Sequence, residues 1–123
     1  MSSQDGRRSL RVAEIVRAEF ARAVQRRIDD ARLRGVMVAN VKVSDDLQVI
    51  DLGVRFPTVE DAAEQEKLVK KLGRALPRLT REIMPRLELR RVPLLRLHYD
   101  AGQDQSRRVE ELLREIKEEK KPK

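Results

Sequence analysis

An α+β domain of two layers, helices on one side and a three-stranded sheet on the other, is what this sequence predicts, and three observations predict it. Apolar residues alternate in two runs between Val36 and Phe56, separated by turn chemistry, which reads as a hairpin. Apolar residues recur at helical spacing before and after that hairpin. A third alternating run follows Pro93. The expected order is α, β, β, α, kink, α, β and a C-terminal helix, and a sheet with one apolar face needs those helices to cover it.

At 123 residues the chain has room for one domain with a modest core. Residues 1–8 are expected to be a flexible basic N-terminus, 9–117 the folded domain, and 118–123 a frayed charged tail. The absence of cysteine excludes disulfides and thiolate metal sites. No apolar run approaches membrane-spanning length, and MSSQDGRRSL lacks the apolar centre of a signal peptide, so a soluble, cytoplasmic protein without membrane contact is expected.

The formal net charge is +7 and the sequence pI about 10.2, which points to a polyanionic partner, usually nucleic acid. The excess is not spread evenly. Residues 1–35 carry nine basic and five acidic side chains, 36–69 three and seven, 70–99 nine and two, and 100–123 seven and seven. The stretch 70–99 therefore carries a surplus equal to that of the whole chain.

From Ser9, read as an N-cap, Val12, Val16, Phe20, Val24 and Ile28 describe one face of a helix ending near Arg27. Its other face bears Arg11, Arg17, Arg22 and Arg26, either a solvated surface or a nucleic-acid contact, and Arg7 and Arg8 form a basic arm before it. In the strand VMVANVKVS, Val36 and Val38 are out of phase with Val41 and Val43. One extra residue near Ala39 and Asn40, a β-bulge, brings all four to one face. Ser44, Asp45, Asp46 and Leu47 supply the turn, and Ile50, Leu52, Val54 and Phe56 alternate as the second strand. Thr58 is expected to cap the next helix, Val59 to about Ala75, with Asp61 in its first turn. In the third strand Leu95, Leu97 and Tyr99 face inward while Arg96 and His98 face out. Val109, Leu112, Leu113 and Ile116 space the last helix.

The break between the central helices has a mechanical cause. Leu68, Leu72, Leu76, Leu79 and Ile83 make one helical stripe that Pro77 interrupts. The proline has no N–H and its ring clashes with the carbonyl of Gly73, so a straight helix through it costs about 3 kcal/mol. Leu76 is pushed toward extended geometry, and Pro77 suits the first turn of a new helix, closed later by Pro85. The new N-terminus, ringed by Arg74, Arg78 and Arg81, favours a phosphate.

Enzyme chemistry finds little support. His98 is the only histidine and reads as a strand-surface imidazole; Asp45 and Asp46 are turn chemistry, and Glu110 and Glu111 lie in a charge-mixed helix. No HxH or CxxC spacing and no glycine-rich phosphate loop occurs, so neither metal nor cofactor is expected. Two Phe, one Tyr and no Trp argue against a base-stacking platform, which leaves phosphates and shape. Three partners stay open: RNA, DNA read by a helix-turn-helix, and an acidic protein. The short post-kink helix holds no Asn or Gln to read a base edge, which counts against DNA.

The element order is that of type II K-homology domains, where RNA lies between a helix-turn-helix and the neighbouring strand. Those domains carry a GxxG loop that is missing here. Arg11-Val12-Ala13, Val43-Ser44 with Asp46-Leu47, Arg86-Leu87 with Val92-Pro93, and Asp100 followed by Arg108 to Leu113 together resemble the ribosome-binding factor A family. That family has a modified type II K-homology fold in which an alanine-x-glycine kink replaces GxxG. The kink falls here on Ala75, Leu76 and Pro77, with proline in the glycine's place. The resemblance implies binding to the small ribosomal subunit and its precursor through 16S ribosomal RNA, late 30S maturation including RNA processing near the 5′ end, growth in the cold, and a monomer when free. On this reading the RNA-binding candidates are Arg8, Arg11, Lys70, Lys71, Arg74, Arg78, Arg81, Arg86, Arg90 and Arg91.

Overall fold

The computed structural model describes residues 2–102. Its elements are helix α1 (Ser2–Arg27), a short helix α2 (Ala31–Arg34), strands β1 (Met37–Val43) and β2 (Val49–Arg55), helices α3 (Ala62–Gly73) and α4 (Leu76–Leu87), and strand β3 (Leu94–Tyr99). The helix expected over 109–116 and the tail lie outside the described residues.

The hairpin is antiparallel, and its register slips between Val38 and Asn40, so the bulge lies where the valine phases demand it. Beyond the slip Val41 pairs with Leu52 and Val43 with Ile50, while Val38 pairs with Val54. Val36, Val38, Val41 and Val43 all pack against the core. Strand β3 joins the other side of β2 in parallel, Ile50 opposite Leu95 and Leu52 opposite Leu97, which gives the order β1-β2-β3. Leu95 is buried and Leu97 and Tyr99 pack on the core, with Arg96 and His98 exposed, as the alternation requires.

Helix α1 lays Val12, Val16, Phe20, Ala23, Val24 and Ile28 into the core. It begins at Ser2, so Ser9 lies inside the helix and is not its N-cap. The polar run before Ser9 has no apolar periodicity to announce a helix, yet extending one already nucleated gains a hydrogen bond per residue. Helix α2 was not expected: Asp30 caps it by accepting from the Arg32 N–H at 2.9 Å, and Leu33 is its buried anchor.

Three boundaries differ around the central helices. Asp61, not Thr58, caps α3, accepting from the Ala63 N–H at 3.3 Å. Leu76 opens α4 instead of turning extended, and the break falls on Arg74 and Ala75, whose N–H groups donate three residues back to Lys71 and Leu72 at 3.2 and 2.9 Å. The last turn of α3 thus tightens before the proline is reached. Pro85 sits within α4 and does not end it. It occupies an exposed position, so the carbonyl it deprives, that of Arg81, lies on the solvent side, and burial of Leu87 carries the helix on. Glu88, left-handed at φ 53°, closes it.

Candidate nucleic-acid interface

Since β3 is an edge strand and α3 packs against it, a groove opens between them. It encloses about 650 Å³ and is lined by Lys67, Lys70 and Gly73 from α3, Leu76 at the kink, and Leu97, His98 and Tyr99 from the strand, among others. Lys67, Lys70 and Arg74 follow one another at helical spacing along this side. Lys67 and the strand residues of the groove were absent from the sequence-based candidates, although the i, i+3, i+7 stripe of cations was there to be read.

The kink delivers part of what its sequence promises. Ala75 is the N-cap residue of α4 and no side chain caps the helix. Pro77 contributes no N–H, and the first helical donor to find a partner is Leu79, which bonds the Ala75 carbonyl at 3.0 Å. Among the described residues, the Leu76 and Arg78 N–H groups have no partner at this end. Arg74, Arg78 and Arg81 are exposed and, among the described residues, form no ion pair, as holds for Lys70.

Other candidates are paired. Lys71 Nζ sits 2.7 Å from Asp30 Oδ2 and ties α3 to α2; this hydrogen bond, helped by the Arg32 N–H, holds the Asp30 carboxyl below its ordinary value. Arg86 Nε lies 3.1 Å from Oε2 of the buried Glu19, an ion pair without hydrogen-bond alignment. The other oxygen of Glu19 accepts from Arg22 at 2.7 Å. Burying a carboxylate requires such partners, so Arg86 serves the α1–α4 seam first. Arg26 and Arg27 do likewise by closing on Glu82 at 3.5 and 2.9 Å.

The candidates also separate in space. These contacts join Arg27 to Glu82 and Glu19 to Arg86, so α1 runs antiparallel to α4. Lys70, Arg74, Arg78 and Arg81 surround the N-terminal end of α4. Arg90 and Arg91 follow its other end, toward which the exposed Arg8 and Arg11 also lie. Twelve helical residues put about 18 Å between the two ends. The structure therefore gathers four of the ten candidates around the N-terminal end of α4, and of these four Lys70 lines the groove.

His98 spans two surfaces: it lines the groove, and its Nδ1 lies 2.9 Å from Asp51 Oδ2 on the outer sheet face. Gly53 beneath it is required by contact, since a Cβ there would stand 3.0 Å from His98 Nε2 and 2.9 Å from Asp100 Oδ2. Among the described residues no group of three metal-ligating side chains converges, and no helix is long and apolar enough to cross a membrane.

The sequence model of ribosome-binding factor A matches residues 8–113. The chain belongs to the ribosome-binding factor A family. A ribosome-binding factor A from Sorangium cellulosum is 44% identical over 113 residues, 91% of this chain and 90% of that one. The crystal structure of ribosome-binding factor A from Thermus thermophilus superposes with a TM-score of 0.63 at 25% identity, covering 74% of this chain and 94% of that chain. A homology model of the Thermus thermophilus factor, fitted into a cryo-EM map of its complex with the 30S subunit, gives 0.54 at 26% identity over 68% of this chain and 86% of that chain. The fold is accordingly the K-homology-like one of this family.

Proposed function

We propose that this protein binds the small ribosomal subunit and its precursor, with Lys70, Arg74, Arg78 and Arg81 holding phosphates of 16S ribosomal RNA beside the α3–β3 groove. In this reading it is a non-catalytic assembly factor of late 30S maturation, including RNA processing near the 5′ end. It acts in the cytoplasm, supports growth in the cold, and is monomeric when free. The observation that carries it is a row of exposed cations that have no acidic partner among the described residues, beside the α3–α4 break, in a chain whose charge surplus sits in that same segment. The complex fitted for the Thermus relative supports the choice of partner. Arg8, Arg11, Arg90 and Arg91 make secondary contacts with the subunit, and Lys71 and Arg86 contribute chiefly to the fold.

The test compares two charge reversals of equal size. R74E/R78E/R81E changes three exposed side chains off the Leu72, Leu79, Ile83 stripe, so it should melt near the parent while losing most small-subunit binding and failing to support growth in the cold. R107E/R114E/K117E makes the same charge change in the stretch 100–123, where basic and acidic residues balance, and should weaken binding modestly. Equal losses would mean attachment through diffuse charge and would reject the kink as the site.

A further inference from the structure

We propose that Val92 and Leu94 form the apolar centre of a second docking surface, which takes an acidic, partly apolar segment of a protein on the small ribosomal subunit. This rests on the small-subunit reading above and adds a partner of a different chemical kind. Val92 is 72% exposed and Leu94 60%, against a core whose largest aliphatic side chains are fully covered.

Their exposure is built into the fold. Pro93 between them is buried, so the backbone is pinned there while its neighbours project outward. The Leu94 N–H donates to the Gln48 carbonyl at 2.8 Å, and Leu94 pairs with Val49 as β3 begins. Such a rigid pair loses little freedom when a partner covers it. Arg90, Arg91 and Arg96 flank the pair, all exposed and, among the described residues, without an ion pair. Asp51, which stands opposite Arg96 in the sheet register, gives its carboxylate to His98.

This chemistry favours protein over RNA. An aliphatic side chain has neither charge for a phosphate nor a π-face to stack on a base, so Val92 and Leu94 lack the two contacts that contribute most to RNA affinity. Apolar anchors ringed by arginine are what protein interfaces concentrate at their centres, and the surplus of positive charge selects an acidic segment. The surface follows the C-terminal end of α4, about 18 Å of helix from the kink, so RNA and protein are held at once.

The full chain carrying V92S/L94S should keep the parent's melting temperature and bind small subunits roughly tenfold or more weakly, given two anchors returned to water. Because the chain has no cysteine, V92C takes a single benzophenone label. On small subunits the label should crosslink to an acidic stretch of a ribosomal protein. Unchanged affinity, a lowered melting temperature, or an adduct with RNA or with the chain itself overturns the docking surface while leaving the small-subunit reading intact. A parent protein that does not co-sediment with small subunits overturns that reading, and this partner with it.

Discussion

Gln65 and Phe56 bond each other twice: the Phe56 N–H donates to Gln65 Oε1 at 2.8 Å, and Gln65 Nε2 donates to the Phe56 carbonyl at 2.7 Å. A third bond runs from Gln65 Nε2 to the Val59 carbonyl at 2.6 Å, so this buried amide serves the backbone just where β2 ends and the chain turns toward α3. Substituting alanine strands the Phe56 N–H and the Val59 carbonyl, whereas the Phe56 carbonyl keeps the Val59 N–H at 3.0 Å. Gln65→Ala should lower the unfolding free energy by about 2–4 kcal/mol, read from urea melts, because each buried backbone group left unpaired costs about 1–3 kcal/mol. A loss within a few tenths would mean that water takes the amide's place.

The sheet is equally intolerant at Gly53. A methyl group there would meet the Asp100 carboxylate at 2.9 Å and the Asp100 Cβ at 3.1 Å, and the latter cannot swing away as a side-chain tip would. Gly53→Ala should destabilise the protein by roughly 1–3 kcal/mol, the usual range for forced overpacking. Calorimetric melting of G53A checks this, and a melting temperature equal to the parent's would show that β3 moves aside freely.

Acid should loosen the α2–α3 contact. The Asp30 carboxyl has a depressed pKa, first through the Lys71 hydrogen bond and then through the Arg32 N–H. Its contribution is therefore present above the carboxylate's unfolded value and fades as pH falls through the lower folded one. Asp46 behaves alike, held down first by the Ser44 hydroxyl. Melting temperatures should hold steady from neutrality toward pH 5 and fall below about pH 4. D30N should lower the neutral value slightly and flatten that fall; a parallel acid profile would exclude Asp30 as a contributor.

Salt should weaken binding through the kink cations. Four phosphate contacts on a single RNA strand imply a slope of log affinity against log salt near −3, since each releases about 0.7 counterion. R78E should make that slope shallower by about one or more. A slope unaffected by R78E would move the contact elsewhere.

Much of this architecture was legible because periodicity reports which face is buried. The valine phase slip required a bulge, and the structure has it between Val38 and Asn40. The interrupted leucine stripe required a break before Pro77, and α3 ends at Gly73. What stayed hidden had no periodic signal. The turns of α1 before Ser9 are polar, and α2 is only four residues long and depends on the Asp30 cap and Leu33. Pro85 reads as a terminator in any sequence, and only its exposed position lets α4 pass through it. At the site, charge counting found the basic segment but not the partners that occupy Lys71 and Arg86, because Asp30 and Glu19 lie 41 and 67 residues away along the chain. The groove itself needed the strand order, which places His98 and Tyr99 across from Lys67 and Lys70.

The parallel pairing of β3 with β2 has a kinetic consequence. The β1–β2 hairpin closes over a short turn, whereas β3 can dock only after the whole of α3 and α4 has been looped out and returned. Long loops close late because their entropy is lost before the contacts that compensate it are made. One wall of the groove is therefore expected to assemble last in refolding, and to be the first to open when the native state fluctuates.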